Sequence, residues 1–187
     1  MSSTASTAAG TTRGATVGRV LIVIGGALAA LSSWLNWGAK FNRPNFRVPA
    51  RTAYTIPAKF ILDNKVKVPG AGLSLGIVVV VLGLLVVAVA FSPWWKVVGL
   101  VVGAAVFVVA VLYVYQVREV IHAAAPNSPI AGKSVRDFIS IGPYLAALGG
   151  ALAVVGGVVA LIPSGFWSSL TSDEADEGER PSSAGSP

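Results

Sequence analysis

The sequence predicts an all-α membrane protein with four transmembrane helices, a basic 33-residue loop between helices 1 and 2, and disordered termini. Three observations lead there. Of 187 residues, 54% are hydrophobic and 12% charged, whereas about 25% of a soluble domain is charged. Four uncharged apolar runs approach the length of about 20 residues that a helix needs to cross a bilayer. The third observation is the placement of charge. Fourteen Lys and Arg against eight Asp and Glu give +6, and residues 40–67 alone hold seven bases and one acid, Asp63. The remainder balances at seven bases and seven acids, so the chain reads as a neutral bundle carrying one basic loop.

Residues 1–16 are rich in Ser, Thr and Ala and are expected to be a disordered tail. The transmembrane domain is expected over residues 17–163. Its first span covers about 20–37, opening just after Arg19 and ending in Trp34 and Trp37, whose rings suit a headgroup zone. Arg13 and Arg19 ahead of a short apolar core, then Ala27-Leu28-Ala29, also fit a secretory signal with its cleavage site. Apolar character continues past that site to Trp37, which favours an uncleaved anchor over a removed signal.

The loop over 38–70 interleaves its bases with Phe41, Phe46, Tyr54 and Phe60, and carries prolines at 44, 49, 57 and 69. The prolines argue for an extended, poorly regular segment, with a short strand or helix allowed over 59–68. Bases and rings together can bind nucleic acid. Anionic lipid headgroups bear the same phosphate and already lie beside the loop, so no nucleic-acid partner is expected. Lys40, Arg43, Arg47, Arg51, Lys59, Lys65 and Lys67 are the candidate contacts to headgroups or to an acidic protein partner.

The second span, about 73–91, contains no charge. The third, about 97–115, follows after Ser92-Pro93-Trp94-Trp95-Lys96 and is framed by the Trp pair and by Tyr113 and Tyr115. So short a link forces the two into an antiparallel hairpin. A lipid-facing strand would alternate with polar positions, and the Val runs do not, so helices that satisfy their own backbones are expected. Residues 123–143 form an interfacial segment. Within it Ser134-Val135-Arg136-Asp137 has capping-box form and starts a short helix over 134–141. The fourth span covers about 144–162, and the acidic, Ser-rich tail over 164–187 is expected to be disordered.

Helices in lipid approach one another at small residues. Gly25 and Ala29 on the first span, Gly72, Gly76 and Gly83 on the second, Gly99 and Gly103 on the third, and Gly149 and Gly156 on the fourth are the candidate packing positions. Packing of the four spans on each other is favoured over an interface with a second copy or another membrane protein. The cores of the expected spans hold no ionisable residue, which argues against a proton-coupled transporter. His122, with Arg118 and Glu119 one turn before it, lacks a second carboxylate or metal-ligand spacing. No Cys is present, and no phosphate-loop, dinucleotide, zinc-protease or nucleophile-elbow motif occurs. No catalytic residue, metal site or cofactor is therefore expected, and the chain reads as non-enzymatic.

Trp34-Leu35-Asn36-Trp37 closing the first span, a loop of about 35 residues, Ser74-Leu75-Gly76 opening the second, and Gly142-Pro143-Tyr144 with Gly149-Gly150 and Gly156-Gly157 in the last form a recognisable layout. It resembles the small, mostly uncharacterised four-helix membrane proteins of actinobacteria, in layout and composition over most of residues 17–163. The resemblance implies a plasma-membrane protein with both termini in the cytoplasm. The Lys and Arg count points the other way, since ten of the fourteen bases would then lie outside. The N-in orientation is weakly favoured. The function expected is that of an accessory or assembly component of a membrane complex or cell-envelope process. The alternative is a transport or channel component for a neutral or lipid-like solute.

Overall fold

The computed structural model describes residues 4–39, 41–43, 46–48, 50–62, 73–128 and 130–162. Four α-helices dominate: α1 (Thr4–Ser32), α2 (Leu75–Val89), α3 (Trp95–His122) and α4 (Ile141–Leu161). Between α1 and α2 lie β1 (Asn36–Gly38), β2 (Phe41–Arg43), β3 (Phe46–Val48) and β4 (Arg51–Thr52), then 3-10 turns over Ala53–Thr55 and Ala58–Ile61. Three helices are long and apolar enough to cross a membrane, over Gly14–Ser32, Trp95–His122 and Ile141–Leu161. At 15 residues, α2 is shorter than the expected span over 73–91; at 1.5 Å per residue it is about 22 Å long. Its start is set by Ser74, whose Oγ accepts from Ile77 N at 3.3 Å, and its end by Pro93, which disfavours helix at Ser92.

The helices form an antiparallel bundle in which α4 packs against both α1 and α3, and α2 closes the ring against α1 and α3. Unlike that of a soluble protein, its outer face is apolar as well as its interior. Gly, Ala and Ser fill the seams, with Ser32 and Ser33 fully buried, while Val81, Leu84, Val101, Val108, Leu148 and Val155 are about half exposed on the outer face.

The first helix is displaced toward the N-terminus relative to the expected span. α1 begins at Thr4, inside the stretch expected to be a disordered tail, and ends at Ser32, five residues before the expected boundary at Trp37. The hydroxyls of Ser32 and Ser33 donate to Ala29 O at 2.6 Å and Ala30 O at 2.7 Å, and Trp37 Nε1 donates to Ser32 O at 2.8 Å. Such bonds give the last carbonyls of the helix partners and end it there. The Gly14–Ser32 window now includes Arg19. Its guanidinium lies 5.2 Å from the Trp95 ring centroid, at the end of the bundle where α3 begins.

Two later boundaries also differ. The capping box at Ser134 and Asp137 is present, but it closes only a 3-10 turn over Val135–Asp137, not a helix over 134–141. Ile139 instead bridges to Gly38, and Ser140 N donates to Trp37 O at 3.0 Å. α4 then starts at Ile141 and takes Gly142-Pro143 into its first turn, where a proline lacks no needed N–H.

Candidate interaction site at the capped end of the bundle

The loop after α1, expected to be extended and irregular, folds over one end of the bundle. β1 pairs antiparallel with β4, and β2 pairs with β3 in a hairpin that sets Asn42 opposite Arg47 and Arg43 opposite Phe46. The loop is tied to the helices by backbone bonds: Ala39 N donates to Phe138 O at 2.8 Å, Ala58 N to Leu73 O at 2.9 Å, and Leu75 N to Ile56 O at 2.8 Å. Under it lies an aromatic core. Trp37 is fully buried and meets Tyr113 edge-on at 5.1 Å between centroids, and Phe60 packs on Tyr113 at 5.8 Å. Ala53, Ile56, Leu75, Val79 and Ala146 complete the cluster. Gln116 Nε2 donates to Ile61 O at 3.3 Å, which pins the second 3-10 turn to α3.

Four of the seven basic residues singled out in the sequence lie in the described segments of this cap. Arg51 and Lys59 are exposed on it; Arg43 and Arg47 lie in its hairpin. Lys40, Lys65, Lys67 and Gly72 lie outside the described residues. The link from α3 to α4 folds at the same end and carries Lys133 and Arg136, the latter lining one groove with Arg118 of α3. At the opposite end are Arg19 and Lys96, both within 6 Å of the Trp95 ring centroid, at 5.2 and 5.9 Å. Sequence reasoning placed Trp37 and Tyr113 at headgroup level, and missed that both anchor the cap. No spacing in the sequence joins these two residues; Gly142 of α4 leaves room for the Trp37 ring, which a Cβ there would strike.

The small residues fall on several distinct seams. Gly25 and Gly149 face one another across α1 and α4; a Cβ on Gly149 would come 2.5 Å from Gly25 O and 2.8 Å from Ala29 N. One on Gly156 would lie 2.6 Å from Gly18 O. Gly103 belongs to the α3–α4 seam, where its Cβ would meet Ala153 Cβ at 2.7 Å, while Gly99 faces Ile22 of α1. Gly83 meets Gly26 and Ala30 of α1. Gly76 faces the cap: it receives Tyr54, with the ring Cδ1 2.8 Å from where a Cβ would stand. Gly26, Gly150 and Gly157, not among the candidate packing positions, serve as close-approach points as well.

An open groove of about 670 Å³ runs along the outer junction of α3 and α4, with Arg118 and Arg136 at its capped end. Among the described residues, no cluster of three or more His, Asp or Glu is placed to hold a metal. Comparison with known proteins finds no matching family model, no matching curated protein and no matching solved structure.

Proposed function

We propose that the chain is a non-enzymatic multi-pass integral protein of the cell membrane, an accessory or assembly component of a membrane complex or cell-envelope process. The observation that carries this reading is the apolar outer face: glycines meet backbone to backbone inside the bundle, and Val, Leu and Ile cover its outside. Such a surface is stable only against hydrocarbon or another apolar surface. In this reading all four helices span, α2 completing its crossing with the flanking turns, and the basic cap contacts anionic headgroups or an acidic partner. The glycine faces are occupied within the bundle, which leaves the cap as the recognition surface. The kinship with small actinobacterial four-helix membrane proteins belongs to the same proposal.

A transport component for a lipid-like solute is the second reading, favoured by the groove between α3 and α4. Co-purification from mild detergent separates the two. A stably associated membrane protein is expected; a chain that runs alone, and whose deletion leaves membrane complexes intact, overturns the accessory role. Orientation is open to the same kind of test. The basic-then-apolar layout of the first span supports cytoplasmic termini, and the concentration of Lys and Arg at the capped end supports the reverse. Because the native chain has no Cys, single substitutions Ser92→Cys and Asn127→Cys can be labelled in intact cells with an impermeant reagent. Labelling at Asn127 alone is the outcome for cytoplasmic termini, and labelling at Ser92 alone reverses it.

A further inference from the structure

The groove on the outer junction of α3 and α4 has walls of one chemistry and a mouth of another. Phe107, Val111 and Val114 line it from α3, and Pro143 and Ala147 from α4. Arg118 stands at the end of the α3 wall, and Arg136 closes the mouth from the 3-10 turn. The groove is built by the helix register. Leu100 lies against Gly157 and Phe107 against Gly150, so α4 begins level with the Tyr115 turn and the end of α3 projects past it. The capping box at Ser134 and Asp137 holds the turn that brings Arg136 into the remaining space beside α3.

Both guanidiniums are exposed, and among the described residues neither is held in an ion pair; Arg118 Nε donates only to His122 Nε2, at 3.4 Å. Tyr115 and Tyr144, half exposed, border the groove near the same end, as amphipathic rings do at a headgroup zone. From Phe107 to Arg118 is eleven residues, or about 16 Å of helix, against about 15 Å for half of a bilayer's hydrocarbon.

We infer that this groove is a binding site for an anionic phospholipid, with an acyl chain along the Phe107–Val111–Val114 wall and the phosphate between Arg118 and Arg136. The inference rests on the membrane reading above and adds to it a ligand class and two residues outside the basic loop. Paired guanidiniums suit a phosphodiester because their planar donor forks match its oxygens. A zwitterionic lipid offers the same phosphate but adds a cation beside the two arginines, so the site prefers lipids of net negative charge.

The test uses the full chain purified in mild detergent, with palmitoyl-oleoyl phosphatidylglycerol and the matching phosphatidylcholine titrated in and adducts read by native mass spectrometry. Phosphatidylglycerol is expected to bind at least about tenfold more tightly. R118Q/R136Q removes that preference, R118K/R136K keeps most of it, and Lys133→Gln, which removes a positive charge outside the groove, leaves it in place. Val111→Trp, which fills the groove, lowers retention of both lipids. Equal binding of the two lipids, or a preference that survives R118Q/R136Q, overturns the site, as does displacement of lipid by glycerol phosphate at equal concentration, which would mean that a free anion suffices. A photo-crosslinker at Val111 is expected to capture lipid, and capture of a polypeptide overturns the proposal in favour of a protein partner. Carbonate extraction keeps the two levels apart: release of the chain from membranes defeats the membrane reading itself, whereas an integral chain without lipid preference defeats only the site.

Discussion

The seam where α4 lies between α1 and α3 and the cap at one end of the bundle are both tightly packed, by opposite means. The seam is made of missing side chains: at Gly18, Gly25, Gly103, Gly149 and Gly156 a single added carbon would meet a neighbouring helix at less than 3 Å. The cap is made of the largest ones, with Trp37 fully buried against Tyr113 and Phe60. The difference follows from what each region must do. Apolar side chains gain little by leaving lipid for a helix interface, so dispersion at short range drives the seam. The cap must cover polar backbone outside the helices, and it does so by joining strand and turn hydrogen bonds to an apolar core.

Substitutions can separate the two modes. Trp37→Ala is expected to have the largest effect, about 3–5 kcal/mol, by emptying the centre of the cap. Thermal unfolding in detergent reads the loss, and hydrogen exchange is expected to show it first over 50–62 and 138–140. Gly149→Ala comes next, at about 1–3 kcal/mol, because the new methyl meets backbone atoms of Gly25 and Ala29 that cannot step aside. Combined with Gly25→Ala, its cost departs from additivity, since the two positions share one contact. Trp37→Phe keeps a ring and loses the bond to Ser32 O, for about 1 kcal/mol. Leu148→Ala, beside Gly149 but half exposed on the outer face, changes stability by less than about 0.5 kcal/mol in detergent. A Leu148→Ala effect as large as that of Gly149→Ala would mean that the outer face of α4 is itself a packing surface.

The helices were legible because their signal is local: long runs of Val, Leu, Gly and Ala without charge leave the backbone few alternatives. The small-residue positions were legible too, but not their partners. Gly99 and Gly103 share one four-residue spacing yet face different helices, and Gly76 faces a loop tyrosine, because the partner of a face depends on how four helices are arranged around it. The burial of Trp37 under the cap was not legible, for a related reason. A tryptophan at the end of an apolar run has the composition of a headgroup anchor, and only the turn at 33–35 carries it back under the loop. The groove was least legible of all: Arg118 and Arg136 are separated by an entire interhelical link and line one groove through the register of α3 on α4.

By itself the sequence determined the helical class, the apolar character of the bundle and the gathering of positive charge in one loop, because composition and run length act within a few residues of chain. Tertiary structure decided where α1 ends, that the loop is a folded cap, which glycine meets which helix, and that two arginines flank one groove. Each of those depends on contacts between segments distant in sequence, whose geometry is set by close packing of the whole bundle.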